Sequence, residues 1–226
     1  TDSNKAVIFA HGITVDKNGE GIFNRAEPKL NDLGISTLRF DFRGHGESEG
    51  ISQNDFYISS ALKDLQAAYD FLQNKGIDKI GLAGASFGGG TASIFAGNNI
   101  DKIKALFLAN PCLDYEKSFL NPITPWAKKY FKNAFSRVEK RGYIKIGSSQ
   151  TAYGKRFFKE MKKYYPCKKL NNYKNPVFIV HGTDDNMFPL TMCTNAFNLW
   201  KIKIKSFYQY KVLIMVLAKN PIKHKW

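Results

Sequence analysis

The chain has 226 residues, of which 43% are hydrophobic and 23% charged, ordinary values that exclude collagen-like, disordered and disulfide-scaffold classes. Its longest uninterrupted apolar run, residues 212–218, is far shorter than the roughly 20 residues of a membrane span. The formal charge of +15 falls to +8 without residues 201–226, and no nucleic-acid-binding motif accompanies the lysines, so we expect neither a membrane span nor a nucleic-acid partner.

Short apolar runs alternate with amphipathic stretches along most of the chain. The predicted strands cover residues 6–10, 35–41, 80–84, 105–109 and 177–180. The predicted helices cover residues 23–33, 54–75 and 88–96. Continuous apolar strands that alternate with helices are typical of a parallel sheet that is buried on both faces. We therefore predict the α/β class, with a mainly parallel sheet, helices on both faces and a single domain over residues 1–226.

Residues 113–170 interrupt this alternation. The segment is rich in aromatic residues and lysine, contains Pro122 and Pro125, and includes a strand-like stretch at 143–147. A compact α/β domain does not need so long a connection, which is more often functional. We predict that residues 113–166 form a lid insert, and the alternative is a peripheral packing element.

Three widely spaced cysteines, Cys112, Cys167 and Cys193, form an odd set. Such a set fits a reducing compartment better than a disulfide framework. This observation favours a cytoplasmic protein.

Ser86 lies in the pattern Gly-Ala-Ser-Phe-Gly at residues 84–88. The pattern follows a predicted strand and opens a predicted helix, which is the setting that presents a nucleophilic serine on a tight turn. Glycines on either side allow the strained turn and the close packing of the helix. The helix N-terminus also stabilises negative charge beside Ser86. The alternative is a glycine-rich packing turn.

A serine nucleophile also needs donors for the oxyanion that forms during acyl transfer. One donor is the backbone N–H of the residue after the nucleophile, which is Phe87 here, and the second comes from the loop after an early strand. His-Gly-Ile-Thr at residues 11–14 forms that loop, and the N–H of Ile13 is its candidate donor. We interpret His11 itself as a structural residue that supports the loop.

Four motifs in this order resemble those of the α/β-hydrolase fold: HGIT at 11–14, LRFDFRGHGES at 38–48, GASFGG at 84–89 and HGTDDNMFP at 181–189. More narrowly, they resemble small bacterial serine hydrolases, which include cinnamoyl or feruloyl esterases and proteins similar to monoacylglycerol lipase. The resemblance covers residues 5 to about 200 and implies a serine hydrolase of carboxylic esters. It also implies that further strands precede residues 6–10, so we expect the N-terminus to be truncated.

The resemblance implies Asp185 as the acid of the catalytic triad, because it stands four residues after a histidine in the family pattern and Pro189 completes that pattern. The adjacent Asp184 is the alternative, interpreted here as a turn residue. We expect Asp41, Arg43 and His45 to order a loop near the site. His45 as the catalytic base would break the family's order of serine, acid and histidine along the chain.

The histidine that the family places about 30 residues after the acid is missing, and only His224 follows Asp185. Back-translation with a start one nucleotide earlier forces a glycine at the junction of Met215 and Val216. The same frame permits Gly-Ala-Asp-His before that glycine and Phe after it, with the histidine in the place of Met215. Our hypothesis is that residues from about 201 onward are out of frame, and the alternative is a divergent tail.

The sequence therefore predicts a serine esterase with Ser86 as nucleophile, Asp185 as acid, and Ile13 and Phe87 as oxyanion donors. The resemblance implies no metal and no organic cofactor, and the expected partner is a small ester substrate. As written, the chain lacks a base and is expected to be inactive or slow. Two alternatives stay open: a catalytically silent binding protein, and a peptidase or thioesterase of the same fold. The oligomeric state is not predicted.

Overall fold

A computed structural model describes residues 4–182 and 184–189, together with the backbone of residues 202–207 and 212–217. Nine strands run as follows: β1 Lys5–Ala10, β2 Ser36–Arg39, β3 Lys79–Ala85, β4 Ile103–Ala109, β5 Tyr143–Lys145, β6 Ala152–Gly154, β7 Val177–Gly182, β8 Ile202–Phe207 and β9 Val212–Leu217. The described helices are α1 Ile22–Asp32, α2 Ser52–Asp55, α3 Ile58–Asn74, α4 Phe87–Asn98, α5 Pro125–Phe131, α6 Ala134–Arg141, α7 Lys155–Met161 and α8 Pro166–Asn172.

Seven of these strands form one sheet in the order β2-β1-β3-β4-β7-β9-β8. The five from β2 to β7 are parallel, whereas β9 runs antiparallel to β7 and β8 antiparallel to β9. All five parallel strands were predicted from their apolar runs, and the predicted α/β class with a mainly parallel sheet is confirmed. Their carboxyl ends share one edge of the sheet, where α/β folds bind ligands.

Helices cover both faces of the sheet, as predicted. Along β1, Ile8 packs in the main core with residues of α3 and α4, while Phe9 packs in a separate cluster with Phe23 of α1. Successive side chains of a strand point to opposite faces. The two clusters therefore lie on opposite sides of the sheet, and the Phe9 and Phe23 rings stack at 4.7 Å between centroids.

The predicted insert lies between β4 and β7 and has secondary structure of its own. It contains α5, α6, α7 and the antiparallel pair β5–β6, whose first strand falls within the predicted strand-like stretch at 143–147. Many of its aromatic side chains are buried together with the main core rather than in a separate one. Six of them are fully buried: Tyr115, Phe119, Phe131, Tyr153, Phe157 and Phe158. Aromatic residues of the insert thus bind it to the rest of the protein through a shared apolar interior.

The C-terminal part of the sheet corresponds to the segment with the atypical sequence. Both β8 and β9 lie in the segment from residue 201 onward, which the sequence analysis interprets as out of frame. Met215 is paired with Ile179 of β7, in the middle of the sheet and not at its carboxyl edge. Cys193 and His224 lie outside the described residues, and Cys112 is a buried free thiol.

Helix α4 packs against α8 through a glycine. A side chain at Gly97 would overlap the backbone carbonyl of Lys169 in α8, so only hydrogen fits between the two helices. At Gly81 in β3, by contrast, an added methyl group would meet its nearest atoms at 3.5 Å, which is ordinary van der Waals contact.

We expect Gly97→Ala to lower the free energy of unfolding by about 1–3 kcal/mol, because overpacking a tight contact forces backbone shifts. Helix propensity alone would predict that the alanine raises the free energy of unfolding by about 1 kcal/mol. The two effects therefore have opposite signs. Urea unfolding of this variant and of Gly81→Ala, as the matched control, measures the difference. Equal stability of the two variants would contradict the close helix contact.

Candidate active site

Ser86 occupies a strained turn between β3 and α4. Its backbone dihedrals are φ 53° and ψ −121°, a conformation that L residues rarely adopt. Four hydrogen bonds hold the turn: the Ser86 N–H donates to Ala109 O at 3.0 Å, and the Ser86 carbonyl accepts from Gly89 N at 3.0 Å, Gly90 N at 3.3 Å and Cys112 N at 2.8 Å. The hydroxyl is thereby presented at the carboxyl edge of the sheet.

Glycines allow the backbone on either side of Ser86 to pack in direct contact with neighbouring backbone. A side chain at Gly88 would overlap the carbonyl oxygens of Ala10 and His11, so the first turn of α4 rests directly on the end of β1. At Gly84 an added Cβ would lie 2.6 Å from the carbonyl oxygen of Gly88. These contacts explain why the pattern requires glycine at both positions flanking the serine.

The loop after β1 lies next to Ser86. A Cβ added at Gly12 would lie 3.6 Å from the Ser86 hydroxyl oxygen. Within the described residues, no acceptor receives the N–H of Ile13 or the N–H of Phe87. Two unused donors beside the reacting hydroxyl are what an oxyanion requires. The geometry is therefore compatible with the predicted roles of Ile13 and Phe87, which stay predictions.

His11 supports this loop from below. Its Nδ1 donates to Gly12 O at 2.8 Å, and its Nε2 accepts the N–H of Phe42 at 2.9 Å, which fixes the neutral tautomer. Burial lowers the pKa of His11. Burial, as the largest cause, lowers the pKa of His45 to about 4. Both rings are thus neutral near pH 7, and the structural interpretation of His11 fits these contacts.

The motif around His45 is ordered by carboxylates, as expected. The Asp41 carboxylate accepts the N–H of Lys17 at 2.6 Å and that of Glu47 at 3.0 Å. Arg43 forms a forked ion pair with Asp64 in α3, with Nε to Oδ1 at 2.9 Å. These bonds hold the loop after β2 in place beneath the loop of His11.

Asp185 is the better-placed of the two candidate acids. Its side chain is 3% exposed, and Oδ1 accepts the N–H groups of Met187 at 2.8 Å and Phe188 at 2.9 Å. Burial alone would raise the pKa of Asp185, but the neighbouring His181 and the two backbone N–H groups outweigh it, so the pKa is lowered. Asp184 is exposed at the surface. The buried, hydrogen-bonded, ionised carboxylate suits the orienting role that was predicted for Asp185.

Asn110, which was not among the predicted site residues, links the loop of Asp185 (the acid loop) to β4. Its Nδ2 donates to Asp185 Oδ2 at 3.1 Å, and its Oδ1 accepts the N–H of Gly182 at 3.2 Å. Its φ of 42° is left-handed, a conformation that asparagine tolerates better than most residues. The available signal was its position directly after Ala109, at the carboxyl end of a predicted strand.

The insert contacts all three loops of the site. The Tyr153 hydroxyl accepts the N–H of Thr14 at 3.0 Å, beside Ile13. The Tyr115 ring stacks on Phe87 at 5.5 Å between centroids. Thr124 donates to the carbonyl of Met187 in the acid loop at 3.3 Å. No local pattern singled out Tyr153 or Tyr115, because their partners are far away in sequence.

Among the described residues, no histidine bridges Ser86 and Asp185 by hydrogen bonds. Among the described residues no side chain hydrogen-bonds the Ser86 hydroxyl, and the histidine beside the acid is His181, whose Nε2 lies 3.3 Å from Asp185 Oδ2. His181 is itself buried within β7 and forms no hydrogen bond with good geometry in the described part of the chain. Nor does the described part group three side chains that could hold a metal ion.

Comparison with known families gives one match over more than half of the chain. The family profile of the alpha/beta hydrolase fold matches residues 5–141. Thiohydrolase aneE from Aspergillus aculeatus is 39% identical over 90 residues, which are 38% of this chain and 28% of that protein. The protein WAV2 from Arabidopsis thaliana, which contains an alpha/beta hydrolase domain, is 36% identical over 84 residues, 36% of this chain and 26% of that protein. The matched part thus spans about a quarter of the length of these curated relatives.

Solved structures agree with the fold at low sequence identity. Est1E from Butyrivibrio proteoclasticus with ferulic acid bound superposes with a TM-score of 0.71 at 22% identity, over 88% of this chain and 78% of that one. A monoacylglycerol lipase from Paleococcus ferrophilus superposes with a TM-score of 0.61 at 23% identity, over 88% and 80%. These likenesses support the fold.

Backbone strain at Ser86 predicts that glycine is the most stable residue there. We expect Ser86→Gly to unfold with a free energy about 1–2 kcal/mol higher than Ser86→Ala, because both lack the hydroxyl and only glycine relieves the left-handed φ. Urea unfolding measures the pair. Ser93 in the interior of α4 provides the control, since glycine there should cost about 1 kcal/mol relative to alanine. Equal stabilities at position 86 would contradict the strain.

The lowered pKa of Asp185 predicts a pH-dependent contribution to stability. Because the folded state binds this proton less readily than the unfolded chain, the contribution is complete above the unfolded pKa of about 4 and is lost as pH falls through the folded pKa. At pH 7 we expect Asp185→Asn to cost about 2 kcal/mol. The cost should shrink in urea titrations at acidic pH.

The exposed neighbour Asp184 supplies the matched control for this titration. Asp184→Asn removes the same formal charge without removing the buried hydrogen bonds of Asp185, so its cost should be smaller and depend less on pH. An equal cost for the two variants would assign no special role to Asp185.

Proposed function

The chain belongs to the α/β-hydrolase fold family, and from that premise we propose that it is a serine hydrolase that cleaves carboxylic esters through an acyl-enzyme. The observation that carries the proposal is the strained turn of Ser86, held beside the two unused N–H donors of Ile13 and Phe87. A packing turn would need neither a left-handed serine nor unused donors. Backbone strain of this kind is typical of functional positions.

Each described group has a role in this reaction. The Ser86 oxygen attacks the ester carbonyl, and the N–H groups of Ile13 and Phe87 stabilise the negative charge on the carbonyl oxygen. Collapse of the intermediate expels the alcohol and leaves an acyl group on Ser86, which water then removes. Both steps need a base that takes a proton from the attacking oxygen and returns it to the leaving group, and Asp185 would orient that base.

The described residues place no base beside Ser86, and no histidine stands where the family pattern has one. Our proposal is that the residues from about 201 onward are read out of frame, and that the frame with a histidine in the place of Met215 encodes the active enzyme. In support, residue 215 lies in the middle of β9 opposite Ile179, away from the carboxyl edge that holds Ser86. Loss of one triad member lowers the rate by several orders of magnitude.

We also propose that the insert, residues 113–166, acts as a lid. Its contacts to Thr14, Phe87 and Met187 would let one movement of the insert change access to the nucleophile, the oxyanion donors and the acid together. The acyl group of the substrate is not assigned. A thioester is the second candidate substrate, because one relative is a thiohydrolase. The absence of a base beside Ser86 among the described residues favours the other alternative, a catalytically silent binding protein.

Hydrolysis of p-nitrophenyl butyrate tests the proposal. We expect a protein whose residues from 201 onward follow the alternative frame to turn over at least about 1,000-fold faster than the chain as written, because the base is restored. In the restored protein, Ser86→Ala should abolish turnover. Asp185→Asn should lower it far more than Asp184→Asn, which is the matched control.

Two outcomes would contradict the proposal. A comparable rate for the chain as written would mean that another base, such as His45 or His224, serves Ser86. A restored protein that unfolds cooperatively but hydrolyses neither the ester nor an acyl thioester would favour a silent binding protein. Resequencing the gene tests the reading frame separately. A clean sequence without the alternative frame would contradict the proposed frame shift.

A further inference from the structure

Charge is distributed unevenly along the chain. Residues 128–169, called the basic segment below, hold 14 lysines and arginines and two acidic residues. Residues 1–127 hold 12 basic and 15 acidic residues. The basic segment therefore carries a formal charge of +12, whereas the first 127 residues carry −3. Most of the basic segment belongs to the insert, so the positive charge lies on the element that packs over the candidate active site.

The positive charge of the basic segment faces solvent and is scarcely neutralised. Twelve of its 14 basic side chains are exposed. Within the described residues, ion pairs form only at Lys155, with Glu139, and at Arg156, with Glu160. The short helices of the insert direct aromatic side chains inward, as Phe157 does in α7, and lysines outward. The result is a strong positive field on the outer surface of the insert.

Two adjoining grooves of about 760 and 300 Å³ open on this surface. They share Leu120, Asn121 and Phe135, with Lys128 and Lys132 lining the first groove and Lys162 the second, and these six residues define the lysine groove. The Lys162 ammonium lies 4.2 Å from the centre of the Phe135 ring. The groove thus combines an apolar floor with a rim of cations. Glu116 lines the end of the second groove.

Exposed apolar side chains accompany the lysines. Ile123 is 50% exposed, next to Pro122 of the first groove, and Tyr165 of the second groove is 45% exposed. Lys168 places its ammonium 4.7 Å from the Tyr165 ring. Tyrosines and lysines with long apolar stems are the residues that enter the boundary between lipid headgroups and acyl chains.

We propose that the lysine groove and the basic surface around it bind the headgroup layer of an anionic phospholipid bilayer. Such a bilayer presents phosphates above an apolar layer, which matches a cationic rim above Leu120 and Phe135 and gives Ile123 and Tyr165 an apolar environment. A duplex nucleic acid offers phosphates without that layer. No helix in the described part of the chain is long and apolar enough to cross a bilayer, so the contact is peripheral. The inference does not depend on the activity of Ser86.

Vesicle sedimentation tests the proposal at neutral pH. The chain should bind phosphatidylcholine vesicles that contain about one-third phosphatidylglycerol, should not bind pure phosphatidylcholine, and should dissociate as salt rises toward about 0.5 M. Combined Lys128→Gln, Lys132→Gln and Lys162→Gln substitutions should weaken binding roughly 100-fold, because each lysine near an anionic surface contributes about a factor of five. The corresponding three Lys→Arg substitutions should retain binding.

A matched control separates the groove from net charge. Lys29, Lys63 and Lys75 are exposed on α1, on α3 and just after α3, so their combined Gln variant loses the same charge elsewhere on the molecule. This variant should bind within a few-fold of the unmodified chain. The proposal is overturned if the control weakens binding as much as the groove variant does, if neutral vesicles bind equally well, if no vesicle binds, or if short duplex DNA binds more tightly than the anionic vesicles.

Discussion

The carbonyl oxygens of Ala10 and His11 press against the first turn of α4 at Gly88, and no side chain larger than hydrogen fits between them. This contact sets the distance between β1 and the helix that begins after Ser86. Ser86 directly before it adopts a left-handed φ, and the loop of Gly12 lies within reach of its hydroxyl. Backbone hydrogen bonds to neighbouring strand ends hold this strained turn, so the fold, rather than the serine's own side chain, positions the Ser86 hydroxyl.

The insert connects parts of the site that the sheet leaves separate. The loop after β1, the start of α4 and the acid loop all lie at one edge of the sheet, yet each belongs to a different stretch of chain. Tyr153, Tyr115 and Thr124 contact one of the three each. The same insert carries the basic surface on its outer side. An element that contacts the site inside and a lipid layer outside would couple the position of the protein on a membrane to access to Ser86.

Some of the groups that a serine hydrolase requires are present among the described residues, and one is not. Two unused backbone N–H groups beside Ser86 and a buried, ionised carboxylate are in place, and their positions are set by close backbone contacts and by Asn110. The proton carrier between serine and acid is absent from the described residues. Under the proposed frame shift, the last component of this site would come from a C-terminal segment read in the alternative frame. The antiparallel pairing of β9 with β7 extends the sheet without bringing a histidine to its carboxyl edge.

The sequence by itself determined the α/β class, the order of the parallel strands along the chain and the place of Ser86 on the turn between β3 and α4, and it predicted Asp185 as the acid. These features follow from local patterns: apolar runs, glycine spacing, and polar residues directly after strands. Only the tertiary structure decided that Asn110 bonds Asp185, that Tyr153 bonds Thr14 across 139 positions, and that the aromatic side chains of the insert join the main core. Contacts between distant segments depend on how the insert packs, and no local pattern encodes that packing. The separation of an aromatic inner side from a cationic outer side likewise required the helices of the insert to be placed in three dimensions.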